Sequence, residues 1–156
     1  MKKLAFALTL GLIIVAVQSA LAKPKDPADY LDAPQNFLAT VSDPDVVFTW
    51  DAVDGADKYT VEICASVLLD GAAEPVIVEL SYCTADRTDG GSPTDPNLTV
   101  PIDTLLNDIA SELGVDVGLI LSVDATAKVK GLNPANGHGA QNNPFSEPSE
   151  FTIEIA

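Results

Sequence analysis

Residues 46–63 (VVFTWDAVDGADKYTVEI) constrain the fold most strongly, because two alternating apolar patterns flank a short polar turn. Val46, Phe48 and Trp50 share one side of the first pattern, and the second pattern alternates in the same way at Tyr59, Val61 and Ile63. Alternation with a period of two is typical of a strand with one buried face. Trp50 is the only tryptophan in the chain, and its position on this face predicts that it lies at the centre of the core.

The same alternation predicts further strands on both sides of this stretch. Together the predicted strands cover residues 37–41, 46–51, 58–69, 76–84, 98–100, 119–129 and 151–155. Between the fifth and sixth strands, the apolar residues of 103–113 fall on one face of a helix, which Asp103 can cap and Gly114 can end. Seven short strands separated by turn residues predict an all-β fold, an antiparallel β-sandwich with one short helix at about 103–113.

The first 22 residues have the pattern of a secretory signal peptide. Lys2 and Lys3 precede an apolar run over 4–17, and Ala20-Leu21-Ala22 offers the small residues that signal peptidase requires. The alternative is a membrane anchor, but a span needs about 20 apolar residues. We therefore expect cleavage before Lys23 and an exported protein, periplasmic or extracellular, with no membrane span after cleavage. Residues 23–33 form a predicted flexible leader, and 34–156 form the domain.

The charge of the chain is strongly acidic, with a formal net charge of −15. Such a chain repels nucleic acids and anionic membrane surfaces, so neither is an expected partner. The acidic residues are spread along the chain rather than gathered in one block. Their expected effect is solubility.

Four stretches of the mature chain resemble a fibronectin type III domain. The matching stretches are 33–39 (A-P-x-x-F-x-A), 46–61 (V-x-F-x-W-x-x-V-x-G-A-x-x-Y-x-V), 123–125 (V-x-A) and 146–149 (S-x-P-S). The resemblance covers about residues 33–156 and implies a seven-stranded, immunoglobulin-like sandwich. Leu119 stands where that family usually has a tyrosine, and the helix replaces a tight turn.

The resemblance implies a non-catalytic binding or adhesion module rather than an enzyme, because such domains serve as scaffolds. The expected ligand is a protein or a glycan. Residues 105–114 (LLNDIASELG) are similar to a helical insertion in bacterial outer-membrane starch-binding proteins of the SusE type. This similarity suggests an alternative function, a glycan-binding accessory protein of the bacterial envelope. Glycan binding needs exposed aromatic rings that stack on sugar rings. Of the aromatic residues in the mature chain, only Tyr30 and Phe145 lie off the inward faces predicted for the strands, which argues against that alternative.

Cys64 and Cys83 are the only cysteines of this predicted exported chain. Both are out of step with the apolar residues of their strands, so both should lie on the outer face of the hairpin formed by the third and fourth strands. A hairpin centred near residue 73 would place them opposite each other. Since exported proteins meet oxidising conditions, we expect a cross-strand disulfide.

Three loops should lie at one end of this sandwich: 51–57, 84–97 and 131–148. Loops on a rigid scaffold carry recognition, and 131–148 is the preferred contact surface. The candidate binding residues are Asp54, Asp57, Asp86, Asp89, Asn136 and His138.

No cofactor is expected, although a second interpretation of the loops is a weak Ca²⁺ site at Asp86, Asp89 and Asp95, because Ca²⁺ prefers oxygen ligands. No ordered calcium-loop motif accompanies these residues. The single histidine, His138, has no second nitrogen or thiolate ligand near it in the sequence, and no nucleophile motif of the G-x-S-x-G kind is present.

Overall fold

The computed structural model describes residues 30–133 and 143–155. Within them the chain forms seven β-strands and one α-helix. The elements are β1 (Leu38–Ser42), β2 (Asp45–Thr49), β3 (Lys58–Leu69), β4 (Val76–Cys83), β5 (Asn97–Pro101), α1 (Ile102–Leu113), β6 (Ile120–Leu132) and β7 (Ser149–Glu154). The predicted seven antiparallel strands and the helix between the fifth and sixth are confirmed. The predicted signal peptide and two candidate residues, Asn136 and His138, lie outside the described residues.

The strands form two antiparallel sheets. One sheet has the order β1-β2-β5 and the other has the order β4-β3-β6-β7. The long central strands β3 and β6 are paired along their whole length, with Lys58 opposite Leu132 at one end and Leu69 opposite Ile120 at the other. Since β2 and β3 belong to different sheets, the turn between them carries the chain from one sheet to the other.

The core lies between the inner faces of the two sheets. Phe48 of β2 meets Phe151 of β7 edge to face, with ring centroids 5.9 Å apart. Trp50 is buried in this core, where its ring meets that of Tyr59 at 5.0 Å. Edge-to-face packing places the positive rim of one ring against the negative face of the other. The predicted burial of Trp50 is confirmed.

β6 contains a bulge that reverses one part of the predicted alternation. Leu68 pairs with Ser122 and Leu69 with Ile120, so Leu121 has no partner in β3. The extra residue turns Ile120 inward, whereas Leu119 and Leu121 are 42% and 41% exposed. In the sequence, Leu119, Leu121 and Val123 alternate within the predicted strand 119–129, which predicts that they share its inward face. For Leu119 and Leu121 this prediction is wrong, because a bulge shifts the side-chain parity by one residue.

Helix α1 covers one side of the domain, where it contacts the edge strands β4 and β5. Its buried residues are Leu105, Leu106, Ile109 and Ala110. Gly114 ends the helix in the left-handed conformation, as predicted, at a φ of 66°. The predicted cap at Asp103 is wrong, because the cap position of the helix is Pro101 and no side chain caps the helix. The N–H of Ile102 donates to the carbonyl oxygen of Pro44 instead. Neither α1 nor any other helix of residues 30–133 and 143–155 is long and apolar enough to cross a membrane.

On the opposite side of the domain, Ser149 of the S-x-P-S stretch joins the remaining edge strands, and Ser146 fixes the segment before β7 to the inner strand β6. The backbone N–H of Ala39 in β1 donates to the hydroxyl oxygen of Ser149 in β7, at 3.0 Å. Ser146 is buried and exchanges hydrogen bonds with the backbone of Val129 in β6. These bonds satisfy backbone groups that no strand partner reaches.

The predicted disulfide between Cys64 and Cys83 is wrong. Cys64 is opposite Glu79, and Cys83 is opposite Thr60, so the two cysteines lie four residues apart in the β3–β4 register. At about 3.3 Å per residue this offset is roughly 13 Å, far beyond the Cα separation of a disulfide. Both cysteines are free.

Candidate functional site

The loop end of the domain is defined here by residues 50–57 and 84–96 and by the segments that follow β6 and precede β7. Three observations place these segments together: Cys83 at the end of β4 pairs with Thr60 near the start of β3, Lys58 pairs with Leu132 at the end of β6, and the N–H of Trp50 donates to the carbonyl oxygen of Pro96. The hairpin turn between β3 and β4 lies at the other end, as does the start of α1. Residues 134–142 of the third predicted loop lie outside the described part.

Tyr59 fixes the 50–57 turn through a hydrogen bond to its backbone. The N–H of Val53 donates to the hydroxyl oxygen of Tyr59, at 2.9 Å. Gly55 has a φ of 80°, a left-handed conformation that glycine adopts without strain. Asp54 and Asp57 are exposed on this turn. The turn therefore has a fixed backbone and presents two carboxylates to solvent.

The 84–96 loop is fixed at its base by Thr84, which is fully buried. Its hydroxyl oxygen accepts the N–H of Tyr59 at 2.9 Å and donates to the carbonyl oxygen of Pro93. One side chain thus connects the start of β3 to the far part of the loop. A threonine at the end of a strand is common, so the sequence pattern offered no signal for this role.

Arg87 organises the rest of the 84–96 loop. Its side chain is 5% exposed, and the guanidinium forms a two-bond ion pair with Asp89. It also donates to the carbonyl oxygen of Ser92 at 2.8 Å and to the side-chain oxygen of Asn97 at 2.9 Å. The planar guanidinium has five N–H donors, so it can hold several parts of one loop together. Arg87 is the only arginine in the chain, and that singularity was the one sequence signal available for it.

The charge state of this pair is strongly fixed. The hydrogen bonds from Arg87 hold the pKa of the Asp89 carboxyl well below its usual range, and N–H groups of Gly91 and Thr99 act in the same direction. The hydrogen bond to Asp89 likewise raises the pKa of Arg87. Charge-assisted, two-bond pairs of this kind are the strongest hydrogen bonds between side chains. The loop is therefore ordered by an ion pair that stays ionised over the physiological pH range.

The carboxylates of the loop do not converge on a cation position. Asp89 accepts from Arg87 and two backbone amides, and Asp95 accepts the N–H of Ser92 at 2.7 Å and lies 3.6 Å from Arg87. Asp86 is exposed. Among the described residues, no group of three or more Asp, Glu, His or Cys side chains is placed to hold a metal ion. The geometry gives the carboxylates of Asp89 and Asp95 an internal structural role, and we do not propose the Ca²⁺ site.

The segments around residues 31 and 143 complete the loop end. Asn143 is buried, and its side-chain amide donates to the carbonyl oxygen of Gly131 at 2.8 Å. Its side-chain oxygen accepts the N–H of Leu31 at 3.2 Å. Asn143 therefore fixes both the start of the described chain and the end of β6, a role that the sequence analysis did not identify.

Phe145, which the sequence analysis left free for a sugar ring, is covered by two cations. The ammonium groups of Lys128 and Lys130 lie 4.1 and 4.5 Å from its ring centroid. Both lysines also pair with Glu62, at 3.3 and 3.9 Å. Because the lysines occupy a face of the ring, this aromatic side chain is not an open platform for stacking.

The outer face of the four-stranded sheet carries a shallow depression of about 500 Å³. Its lining includes Glu62, Cys64, Glu79 and Lys128. These residues come from the outward positions of three neighbouring strands, and they bring opposite charges together. The depression therefore offers a shallow surface of mixed polar and apolar groups.

Comparisons with known proteins find similar chains among solved structures. No protein-family model matches the sequence, and no curated protein matches it. Among solved structures, a Fn3-like protein from Clostridium thermocellum is similar to this chain at 16% sequence identity and a TM-score of 0.34, over 75% of this chain and 86% of that chain.

Proposed function

We propose that this chain is an exported, non-catalytic binding or adhesion module with a fibronectin type III-like sandwich, and that it binds its ligand with the loop end. The division into sheets of three and four strands, with the order β1-β2-β5 and β4-β3-β6-β7, supports the fold assignment. The proposed location is the periplasm or the extracellular space, from the predicted signal peptide.

The observation that carries the proposal is that the 84–96 loop is held in one conformation. Long loops without regular structure are uncommon in compact domains and are usually functional or disordered. In the 84–96 loop the regular structure is a single turn of 3₁₀ helix, over Thr84–Asp86. Hydrogen bonds from Arg87 and Thr84 nevertheless fix the loop from inside. A loop held in one conformation loses little conformational entropy when it binds a partner. It lies beside the fixed 50–57 turn, so the two present a preorganised polar surface that includes Asp54, Asp57 and Asp86.

A capture experiment with matched charge reversals tests this proposal. The Asp54→Lys/Asp86→Lys variant changes exposed loop-end residues that form no side-chain hydrogen bond within the described part of the chain. The Asp70→Lys/Glu74→Lys variant makes the same charge change on exposed residues of the hairpin turn at the opposite end. Each immobilised protein is incubated with the envelope and medium fractions of the producing cells, and bound proteins are identified by mass spectrometry.

We expect wild type and the hairpin-turn variant to retain the same partner and the loop-end variant to lose it. Retention by the loop-end variant, or loss only in the hairpin-turn variant, would refute the loop end as the binding surface. A parallel glycan array addresses the ligand class: saturable binding of a defined sugar by wild type would replace the protein-ligand proposal with the glycan-binding alternative.

A further inference from the structure

Strand β4 has one edge without a partner. It lies at the end of its sheet and pairs only with β3. No backbone or side-chain group of the described residues bonds to its other edge. The N–H and C=O groups on this edge therefore depend on water, and such a row of groups is a template for another strand.

The other sheet edges are covered by the chain itself. β1 and β7 contact each other, with the Ala39–Ser149 bond between them, and α1 packs against β5 as well as against part of β4. Apart from this contact and the charge of Glu79, β4 lacks the features that usually protect an edge. It has eight residues with no proline or lysine, and its register with β3 has no bulge.

A groove separates β4 from α1. Its volume is about 260 Å³, and its lining comes from both elements, including Glu79 and Tyr82 of the strand and Asp108 and Glu112 of the helix. The hydroxyl of Tyr82 donates to Asp108 at 2.7 Å, which fixes the helix at one end of the strand. Nearer the hairpin turn, Val76 and Ile77 are 39% and 60% exposed. The free edge thus has a polar groove along one part and exposed apolar side chains along the other.

The charges of the groove select among possible occupants. Glu79, Asp108 and Glu112 line it, and no lysine or arginine does. A second copy of this acidic chain would bring the same carboxylates against each other. An extended segment with Lys or Arg side chains would instead face them with opposite charge.

We propose that the free edge of β4 is a docking site for an extended basic segment of a partner protein, which adds to the sheet as a further antiparallel or parallel strand. In this mode, main-chain hydrogen bonds supply affinity and alternate side chains supply specificity. Basic side chains of the segment meet the groove carboxylates, and an apolar side chain contacts Val76 and Ile77. This surface lies on the side of the domain, so the proposal stands apart from the loop-end function.

The test uses a short synthetic peptide in which Lys alternates with Val, and a second peptide of the same sequence with every other backbone amide N-methylated. The two have equal charge, but only the first can complete a strand ladder. Binding is measured by fluorescence anisotropy at physiological salt, and hydrogen–deuterium exchange locates the site. We expect the unmodified peptide to bind, the methylated peptide to bind at least about tenfold more weakly, and the amides of β4 to exchange more slowly in the complex.

Matched variants separate specific docking from attraction to an acidic protein. Glu79→Lys/Glu112→Lys alters the groove, whereas Glu150→Lys/Glu154→Lys makes the same charge change on exposed positions of β7 in the same sheet. We expect only the groove variant to lose affinity, by about tenfold or more. Equal binding of the two peptides, equal loss in both variants, or protection confined to residues outside β4 would overturn the proposal. Dimerisation of wild type through β4 in sedimentation experiments would also overturn it, in favour of a second copy.

Discussion

Cys64 is opposite Glu79 on β4, whereas Cys83 of the same strand is opposite Thr60, four residues along β3 from Cys64. The register of this hairpin, and not the number of cysteines or the predicted export of the chain, decides that the two thiols are separate. A register shifted by four residues would have placed them opposite each other.

The first prediction concerns the chemistry of these thiols. Without prior reduction, an alkylating reagent should modify two cysteines per chain in the denatured protein, because the register leaves about 13 Å between them. Intact mass spectrometry measures the number of adducts. Reduced and unreduced samples should give the same mass, and a protein that reacts only after reduction would contradict the register.

The second prediction concerns the buried hydroxyl of Thr84. Thr84→Val keeps the shape of the side chain but leaves the N–H of Tyr59 and the carbonyl oxygen of Pro93 without their partner. Buried polar groups without partners cost about 1–3 kcal/mol each, so the free energy of unfolding should fall by at least about 1 kcal/mol. Thr84→Ser keeps the hydroxyl and is the control; in urea denaturation it should retain more of the wild-type stability than the valine variant.

The third prediction concerns the pH dependence given by the Arg87–Asp89 pair. Because the folded-state pKa of Asp89 is depressed, its contribution to stability is fully present above the unfolded-state pKa of about 3.9 and is lost as the pH falls towards the folded-state value. Asp89→Asn should therefore lower the free energy of unfolding at pH 7 by about 1.5–3 kcal/mol. The difference from wild type should narrow steadily below about pH 4.

Asp95→Asn is the matched control for this measurement. Asp95 lies 3.6 Å from Arg87 and its side chain is 42% exposed, so its substitution should have the smaller effect at pH 7. Denaturation curves collected across this pH range give the comparison. A difference between wild type and Asp89→Asn that stays constant down to pH 2 would show that the ion pair does not account for it.

The fourth prediction uses the bulge of β6. Leu121 is exposed while the neighbouring Ile120 is buried, so truncation of the two side chains should have unequal effects. Ile120→Ala should lower the free energy of unfolding by about 2–5 kcal/mol, as expected for a buried apolar side chain. Leu121→Ala should change it by no more than about 0.5 kcal/mol. If Leu121→Ala proved the more damaging change, the bulge would lie at another position.

The sequence by itself determined the strands, the helix and most of the core. Alternation from Tyr59 to Val67 is a property of a single extended chain, since successive side chains point to opposite faces. It therefore predicted burial at Tyr59, Val61 and Ile63 without any knowledge of neighbouring strands. The helical period of α1 and the glycine that ends it are equally local, so they could also be predicted from the sequence.

Only the tertiary structure decided the relationships between segments that are distant in sequence. The offset of Cys64 from Cys83 depends on how the hairpin turn aligns two strands, and the exposure of Leu121 depends on one unpaired residue between β3 and β6. The loop end shows the same limit. The sequence predicted that three loops lie at one end and that Asp89 binds a ligand, whereas in the structure the Asp89 carboxylate pairs with Arg87. Partner choice of this kind follows from the fold as a whole, because the free energy of each pairing depends on which groups the packing leaves near each other and shields from water.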